Sequence, residues 1–567
     1  MQSTNLQRVS DVTLVETSTS VDFDGESLDV PTVRLIAENE VTCGVAPSAL
    51  AKVAANRRQF EDIIARGIPV YGVTTGYGEM IYMLVDTSNE VQLQTNLVRS
   101  HSAGVGPIFA EDEARAVLAA RLNALSKGYS AVRPELLERL ALYLNLGITP
   151  AIPEIGSLGA SGDLAPLAHV ASTLIGEGYV LRDGKRVETG RVLREFGIEP
   201  LQLRFKEGLA LINGTSAMTG LGCLLVTRAL DQVRQAEIVT ALICEVLQGS
   251  TSPFVADGHD IARPHQGQID VAANMRALLN GSGLAVEHSE LRQELSADPL
   301  RQSALKDKEP PRRRRKDEDE SAQHGVHRTE VYLQKAYTLR AIPQVVGAVR
   351  DTVYHAATTL HIELNSSNDN PLVFEGKEVF HGANFHGQPV AFVMDYLTIA
   401  LTQLGVFSER RTNRLLNRHL SNGLPEFLVA GDPGLNSGFA GAQYPATALV
   451  AENRTIGPAS TQSVPSNGDN QDVVSMGLIA ARNARRVLQN NTKILAVEFL
   501  AAAQAVDLSG RKDQLSPAGL ATYERVRSLV PVVDEDRYMS DDIELVAAAI
   551  SRGEFLAAVE QADVTLR

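Results

Sequence analysis

Residues 156–167 read Gly-Ser-Leu-Gly-Ala-Ser-Gly-Asp-Leu-Ala-Pro-Leu and mark the change from a broken loop to a helix. Upstream, residues 148–162 (ITPAIPEIGSLGASG) hold too many Gly and Pro residues for a helix or a central strand. Downstream, the apolar pattern of Leu164 to Ile175 predicts a helix running away from the loop. Glycines on both sides allow Ala160-Ser161-Gly162 to fold on itself more tightly than other residues permit. In that state the Gly162 nitrogen can approach the Ala160 carbonyl carbon and close a five-membered ring. Loss of water, including the Ser161 hydroxyl, then leaves a methylidene group conjugated to the ring, a strong electrophile that needs no bound cofactor. The plainer reading is a tight turn in which Ser161 or Asp163 caps the helix, and composition alone favours the turn.

Outward from this stretch, Pro107 to Gly147 predicts helices broken at Gly128 and Pro134. From Glu207 onward long helical patterns dominate: Val345, Val349, Val353 and Leu360 share one face, as do Ala480, Ala484, Val487, Leu488 and Leu495. Small residues on these faces let long helices pack closely. Strand signals are short, at Val180-Leu181 and Leu372-Val373-Phe374. The expected fold is mainly α, a long-helix bundle with a smaller mixed N-terminal region. Its expected organisation is a polar tail at 1–26, an N-terminal domain at 27–220 carrying the electrophile loop, and a helical bundle at 221–567. The stretch 306–325 mixes Arg312–Arg315 with Asp317–Glu320 around a Pro pair, which predicts a solvated, mobile charged insertion rather than a nucleic-acid patch.

The chain has 567 residues, more than one core usually organises, with 44% hydrophobic and 21% charged residues. A formal charge of −15 argues against nucleic acid or an anionic membrane as partner. Cys43, Cys223 and Cys244 lack metal spacing and suggest reduced, buried thiols. The N-terminus has no secretory pattern and no run of eighteen apolar residues occurs, so a cytoplasmic protein is expected. GxxxxGK[ST], HExxH, CxxC and GxSxG are all missing, and no metal is expected.

GSLGASGDLAPL resembles the signature of the histidine, phenylalanine and tyrosine ammonia-lyases and the related aminomutases. Tyr71–Gly78 resembles their YGxxTGFG motif, and Gln94-Thr95-Asn96-Leu97 followed by His101 their QxNL…H stretch. Asn213-Gly214-Thr215, Tyr337–Arg340, Asp369-Asn370-Pro371 and Gly382–Phe385 follow in the family's order. The resemblance implies a histidine/phenylalanine ammonia-lyase-like fold and a 4-methylideneimidazole-5-one formed from Ala160-Ser161-Gly162, with no external cofactor. It implies that Tyr71 is the base, that Tyr332 and Tyr337 stand around the ring and that Arg340 binds the substrate carboxylate. Asn213 then stands beside the amine, with Asn370 and Phe385 lining the site. His101 and Tyr444 are candidates for the far end of the pocket.

Three chemistries share these motifs: histidine elimination, aromatic amino-acid elimination and 2,3-amino transfer. Ala440 stands where histidine lyases usually have Met, Tyr444 replaces a small apolar residue, and SVPSNGDNQD, containing Asn467, replaces SIPTSANQED. Glu79 stands where the lyases generally carry an apolar residue, so Glu79 and Asn467 join the candidate substrate-binding set. YGVTTGYGEMIYM, RSHSAGVGP and HGANFHGQP resemble bacterial tyrosine 2,3-aminomutases that supply β-tyrosine to enediyne antibiotics. That implies conversion of L-tyrosine, or a close ring analogue, to the β-amino acid. Tyrosine or histidine ammonia-lyase is the alternative. The resemblance also implies a homotetramer with shared active sites. A catalytically dead helical assembly protein would lack the ring-forming residues or the base, and this chain keeps Ala160, Ser161, Gly162 and Tyr71.

Overall fold

The computed structural model describes residues 20–287, 334–377 and 379–567, which fold mainly as α-helix with a few short strands. Residues 1–19, the charged stretch 306–325 and Tyr332 lie outside the described residues. Two compact units are present. One takes Met1–Thr227, His355–Tyr396 and Gly457–Arg485; the other takes Arg228–Tyr354, Leu397–Ile456 and Arg486–Arg567. Four of the five points where the chain passes between units fall within long helices, Ser216–Val246, Ile342–Leu364, Gln388–Leu416 and Gly477–Ser509.

In the first unit, the expectation of a polar tail through residue 26 is corrected. Ser20–Phe23 pairs in parallel with Thr42–Val45, because Phe23 is buried and anchors the strand. Asp24 closes the turn that follows by accepting from the backbone nitrogens of Glu26 and Ser27. The helices Glu111–Ser126 and Pro134–Leu146 are separated where Gly128 and Pro134 predict. The first is buried on every side from Glu113 onward, as its Ala- and Leu-rich sequence requires. The second ends at Gly147, whose left-handed φ of 63° closes the last turn. Loop 148–162 contributes only the short strands Thr149–Pro150 and Pro153–Ile155, and Leu164–Leu174 is the expected helix.

In the second unit, buried ion pairs fix which helix faces meet. Glu237 pairs with Arg350 at 3.3 Å and Glu498 with Arg411 at 2.5 Å, all four side chains without exposure. Losing one partner of such a pair costs about 3–5 kcal/mol, because the other charge stays buried and uncompensated. Among the described residues one helix, Gln388–Leu416, is long and apolar enough to cross a membrane. Its apolar window is 67% buried within the protein. Asp395 on it accepts from the nitrogens of Ala459 and Ser460, and Arg411 carries the ion pair, which makes it a core helix. Cys43, Cys223 and Cys244 are buried and unpaired.

Candidate active site

The turn carrying Tyr71 rests on an apolar floor of Phe60, Ile63, Ile64, Val70, Val73, Ala131 and Val373. Burying each larger member contributes about 1.5–3 kcal/mol, and it pins the turn from below through Val70 and Val73. Tyr71 itself is left half-buried. Gly72 has φ 67°, and a Cβ there would lie 2.5 Å from the Tyr77 ring. The Tyr71 Oη accepts from the Gly78 nitrogen at 2.9 Å, and the Tyr71 nitrogen donates to His381 Nε2 at 3.4 Å. Burial lowers the His381 pKa, which keeps that imidazole a neutral acceptor. Tyr77 lies edge-on to Tyr71 with ring centroids 6.3 Å apart. Burial raises its phenol far above the ordinary range, so Tyr77 stays protonated.

At the loop, Gly159, Ser161 and Gly162 all have left-handed φ, at 75°, 54° and 76°. Gly159 pairs with Gly162, and Gly162 pairs with Gly214. The Asp163 nitrogen donates to the Gly214 carbonyl at 2.7 Å, and a Cβ on Gly162 would overlap that carbonyl. Asp163 does not cap its own helix. Its carboxylate accepts instead from the Met218 nitrogen and from Ser157 Oγ, both at 2.8 Å, tying the loop to the start of Ser216–Val246. Burial pushes the Asp163 carboxyl up to about 6 against those hydrogen bonds. A bare turn needs none of this strain. A backbone folded back at Ser161 and crowded at Gly162 fits a ring closed from Ala160-Ser161-Gly162. Ser157, Asp163 and Gly214 are the residues that would hold it.

Residues 466–471 join the loop to the Tyr71 turn. Ser466 pairs with Gln471 across Asn467, Gly468 and Asp469, whose φ values are 53°, 64° and 64°. Gln471 Nε2 donates to Ser161 Oγ at 3.3 Å. The Asn467 amide packs against the Cα of Gly78, and the Glu79 side chain lies against Gly468. Tyr71, Glu79, Asn467 and Ser161 therefore belong to one connected patch.

Asn213 forms the third side. Its Nδ2 donates to the Asn370 carbonyl at 3.0 Å, and Asn370 Oδ1 accepts from the Gly382 nitrogen at 2.7 Å. Its own Oδ1 is buried and has no partner among the described residues. Arg121 holds the segment from behind, donating to the Asn213 carbonyl at 3.1 Å and to Asn368 Oδ1 at 2.9 Å. Lys206 Nζ pairs with Asp369 at 2.6 Å, with both side chains buried.

The aromatic amino acid lyase profile matches residues 28–528 of the chain. The chain belongs to that family. It is 72% identical over 558 residues to the MIO-dependent tyrosine 2,3-aminomutase of Streptomyces globisporus, covering 98% of this chain and 100% of that one. It is 57% identical over 547 residues to the tyrosine ammonia-lyase of Cupriavidus metallidurans, covering 96% and 98%. The crystal structure of tyrosine aminomutase from Streptomyces globisporus superposes with a TM-score of 0.90 at 71% identity, covering 97% of this chain and 100% of that chain.

The remaining candidates of this aromatic amino acid lyase family chain make other contacts. His101 ends the helix Glu90–His101, with Nδ1 at 2.9 Å from the Leu97 carbonyl, and Phe385 is half-buried. In the second unit Arg340 stacks over the Tyr337 ring at 4.7 Å and donates to the Lys335 carbonyl at 3.0 Å. Those residues line a 310 Å³ cavity with Ser250, Pro253 and Gln344. Tyr444 projects from Ala440–Asn453 with 74% exposure. Sequence reasoning passed over His381, Arg121, Lys206 and Gln471. Gln471 sits in the same stretch as Asn467 and His381 opens HGANFHGQP, but Arg121 and Lys206 show no local pattern.

Proposed function

We propose that this chain is a tyrosine 2,3-aminomutase, converting L-tyrosine or a close ring analogue to the β-amino acid, with tyrosine ammonia-lyase side activity. The observation that carries the reading is the patch in which residues 466–471 touch both Ser161 and the Tyr71 turn, in a chain 72% identical to a tyrosine 2,3-aminomutase. A 4-methylideneimidazole-5-one from Ala160-Ser161-Gly162 supplies the electrophile that makes the α-amino group a leaving group, without an external cofactor. Tyr71 takes the proton from the β-carbon. The Gly78 N–H donates to its Oη at 2.9 Å and fixes where the phenol oxygen stands. Asn213 Oδ1, buried with no partner among the described residues, accepts an N–H of the substrate amine. Arg340 binds the carboxylate, for which its planar fork is suited, and Tyr332 and Tyr337 stand near the reacting amine. Asn370 and Phe385 line the site. Glu79, His101, Tyr444 and Asn467 receive the phenol end.

The assembly is a cytoplasmic homotetramer whose active sites draw residues from several subunits. Tyr337 and Tyr444 are 70% and 74% exposed, and Met80, Tyr82 and Leu84 are exposed as a run, which suits burial against other copies. On the resemblance, the β-tyrosine serves enediyne antibiotic assembly.

Tyrosine ammonia-lyase is the second reading, favoured by the 57% identity to such an enzyme. The two differ in whether the cinnamate-type intermediate is held until the amine returns. Purified protein incubated with tyrosine, phenylalanine and histidine, with products separated by mass, decides between them. β-Tyrosine as main product is expected. Coumarate alone means a lyase, and turnover of histidine alone overturns both readings.

A further inference from the structure

Gln94, on the helix Glu90–His101, has no solvent exposure and uses its whole amide. Its Nε2 donates to the Gly72 carbonyl at 3.0 Å and to Tyr77 Oη at 2.9 Å. Its Oε1 accepts from the Leu209 nitrogen at 3.1 Å. Leu209 belongs to the short helix Glu207–Ile212, which delivers Asn213 at its end. Gly208 makes the approach possible, since a Cβ there would stand 2.7 Å from the Gln94 carbonyl. On the other side, a Cβ on Gly72 would meet both the Tyr77 ring and, at 2.9 Å, the Leu209 side chain. One side chain therefore joins the residue after Tyr71, the phenol packed against Tyr71 and the helix leading to Asn213.

We propose that Gln94 is a positioning residue that sets the distance between the Tyr71 phenol and Asn213. The proposal rests on the reading of Tyr71 as the base. The apolar floor buries Val70 and Val73 but leaves the Gly72 carbonyl free to rotate unless it is held. A primary amide of this length donates twice from one end and accepts at the other, which matches the three partners here. Misplacing a reacting group by about 1 Å costs on the order of 100-fold in rate while leaving contacts elsewhere intact.

Two variants separate the halves of the clamp. Gln94→Glu keeps the acceptor for Leu209 and removes both donors, and Gln94→Met removes all three bonds at nearly constant volume. We expect kcat for β-tyrosine formation, and solvent exchange of the β-hydrogen, to fall between about 10- and 100-fold in both. KM should stay within about twofold, because Arg340 and the residues proposed for the phenol end keep their own contacts and only the spacing of Tyr71 and Asn213 changes. Ring absorbance in the near ultraviolet should be retained. A wild-type kcat in either variant overturns the proposal, as does a loss seen wholly in KM. Should neither variant show a melting transition, Tyr77→Phe removes one of the two acceptors without changing the core, and a wild-type kcat there overturns it equally. Tyr71→Phe is the control on the underlying reading. If it still exchanges the β-hydrogen at the normal rate, Tyr71 is not the base, whatever the Gln94 variants do.

Discussion

Ser161 holds φ 54°, a conformation that costs a residue with a side chain about 1–3 kcal/mol and persists only when its surroundings enforce it. Gly214, Asp163 and Gln471 do so here. Ser161→Ala keeps the backbone and loses only the hydroxyl, so we expect an unchanged melting temperature with almost no turnover. Near-wild-type turnover would show that no group is made from Ser161. Asp163 carries a second prediction. Its carboxyl titrates near 6 when folded and 3.8 in the ordinary case, so between those pH values the native state binds the proton that the unfolded chain has released. The contribution is full below about 4 and is lost as pH rises through 6. Asp163→Asn satisfies Ser157 and Met218 without ionising, so its stability relative to wild type should rise across that window in urea titrations. A constant difference would mean the carboxyl is not perturbed. Ala160, Ser161, Gly162, Tyr71 and Asn213 were singled out through the family resemblance of the short stretches that hold them, since composition alone favoured a plain turn at 160–162. Asp163 entered the sequence reading only through the plain-turn alternative, as a helix cap, because its partners, Ser157 and Met218, come together only in the fold.

Elements place these residues through buried polar contacts that leave no periodic trace. The helices were legible because apolar spacing and Gly or Pro punctuation act within a few residues, as at Gly128, Pro134 and Gly147. The strand at Ser20–Phe23 was not, since four residues with one aromatic carry no repeat and the pairing partner lies at Thr42–Val45. Lys206 is the clearest hidden case. It starts the Glu207–Ile212 helix with φ 66°, and its ammonium crosses to Asp369, the neighbour of Asn370. Burial lowers the Lys206 pKa while Asp369 opposes that shift. Lys206→Met leaves Asp369 buried with Ser130 Oγ as its hydrogen-bond donor among the described residues and the Arg121 charge nearby, so a loss of up to about 3–5 kcal/mol in unfolding free energy is expected. The double variant Lys206→Met/Asp369→Leu should recover much of it. If the single variant loses under about 1 kcal/mol, the pair does not anchor Asn370.

At the scale of the whole molecule, the candidates divide between the two units. Tyr71, Ser161, Asn213 and Asn370 belong to the first, and Tyr337, Arg340 and Tyr444 to the second. If the proposed homotetramer builds each site from several subunits, loss of function in one unit can be complemented by another chain. Ser161→Ala should be inactive through its own loop, and Arg340→Ala through weak carboxylate binding. Mixed during refolding or co-expressed in equal amounts, the two chains form tetramers in which a site sometimes takes Ser161 from one subunit and Arg340 from another. Each intact residue is supplied half the time, so about one quarter of the wild-type activity is expected, from two preparations that are inactive alone. Light scattering on the same samples should report four chains. Sites completed within one chain would always carry one of the two lesions, and the mixture would stay inactive. That outcome, with tetramers confirmed, would assign Ser161 and Arg340 of each site to the same subunit.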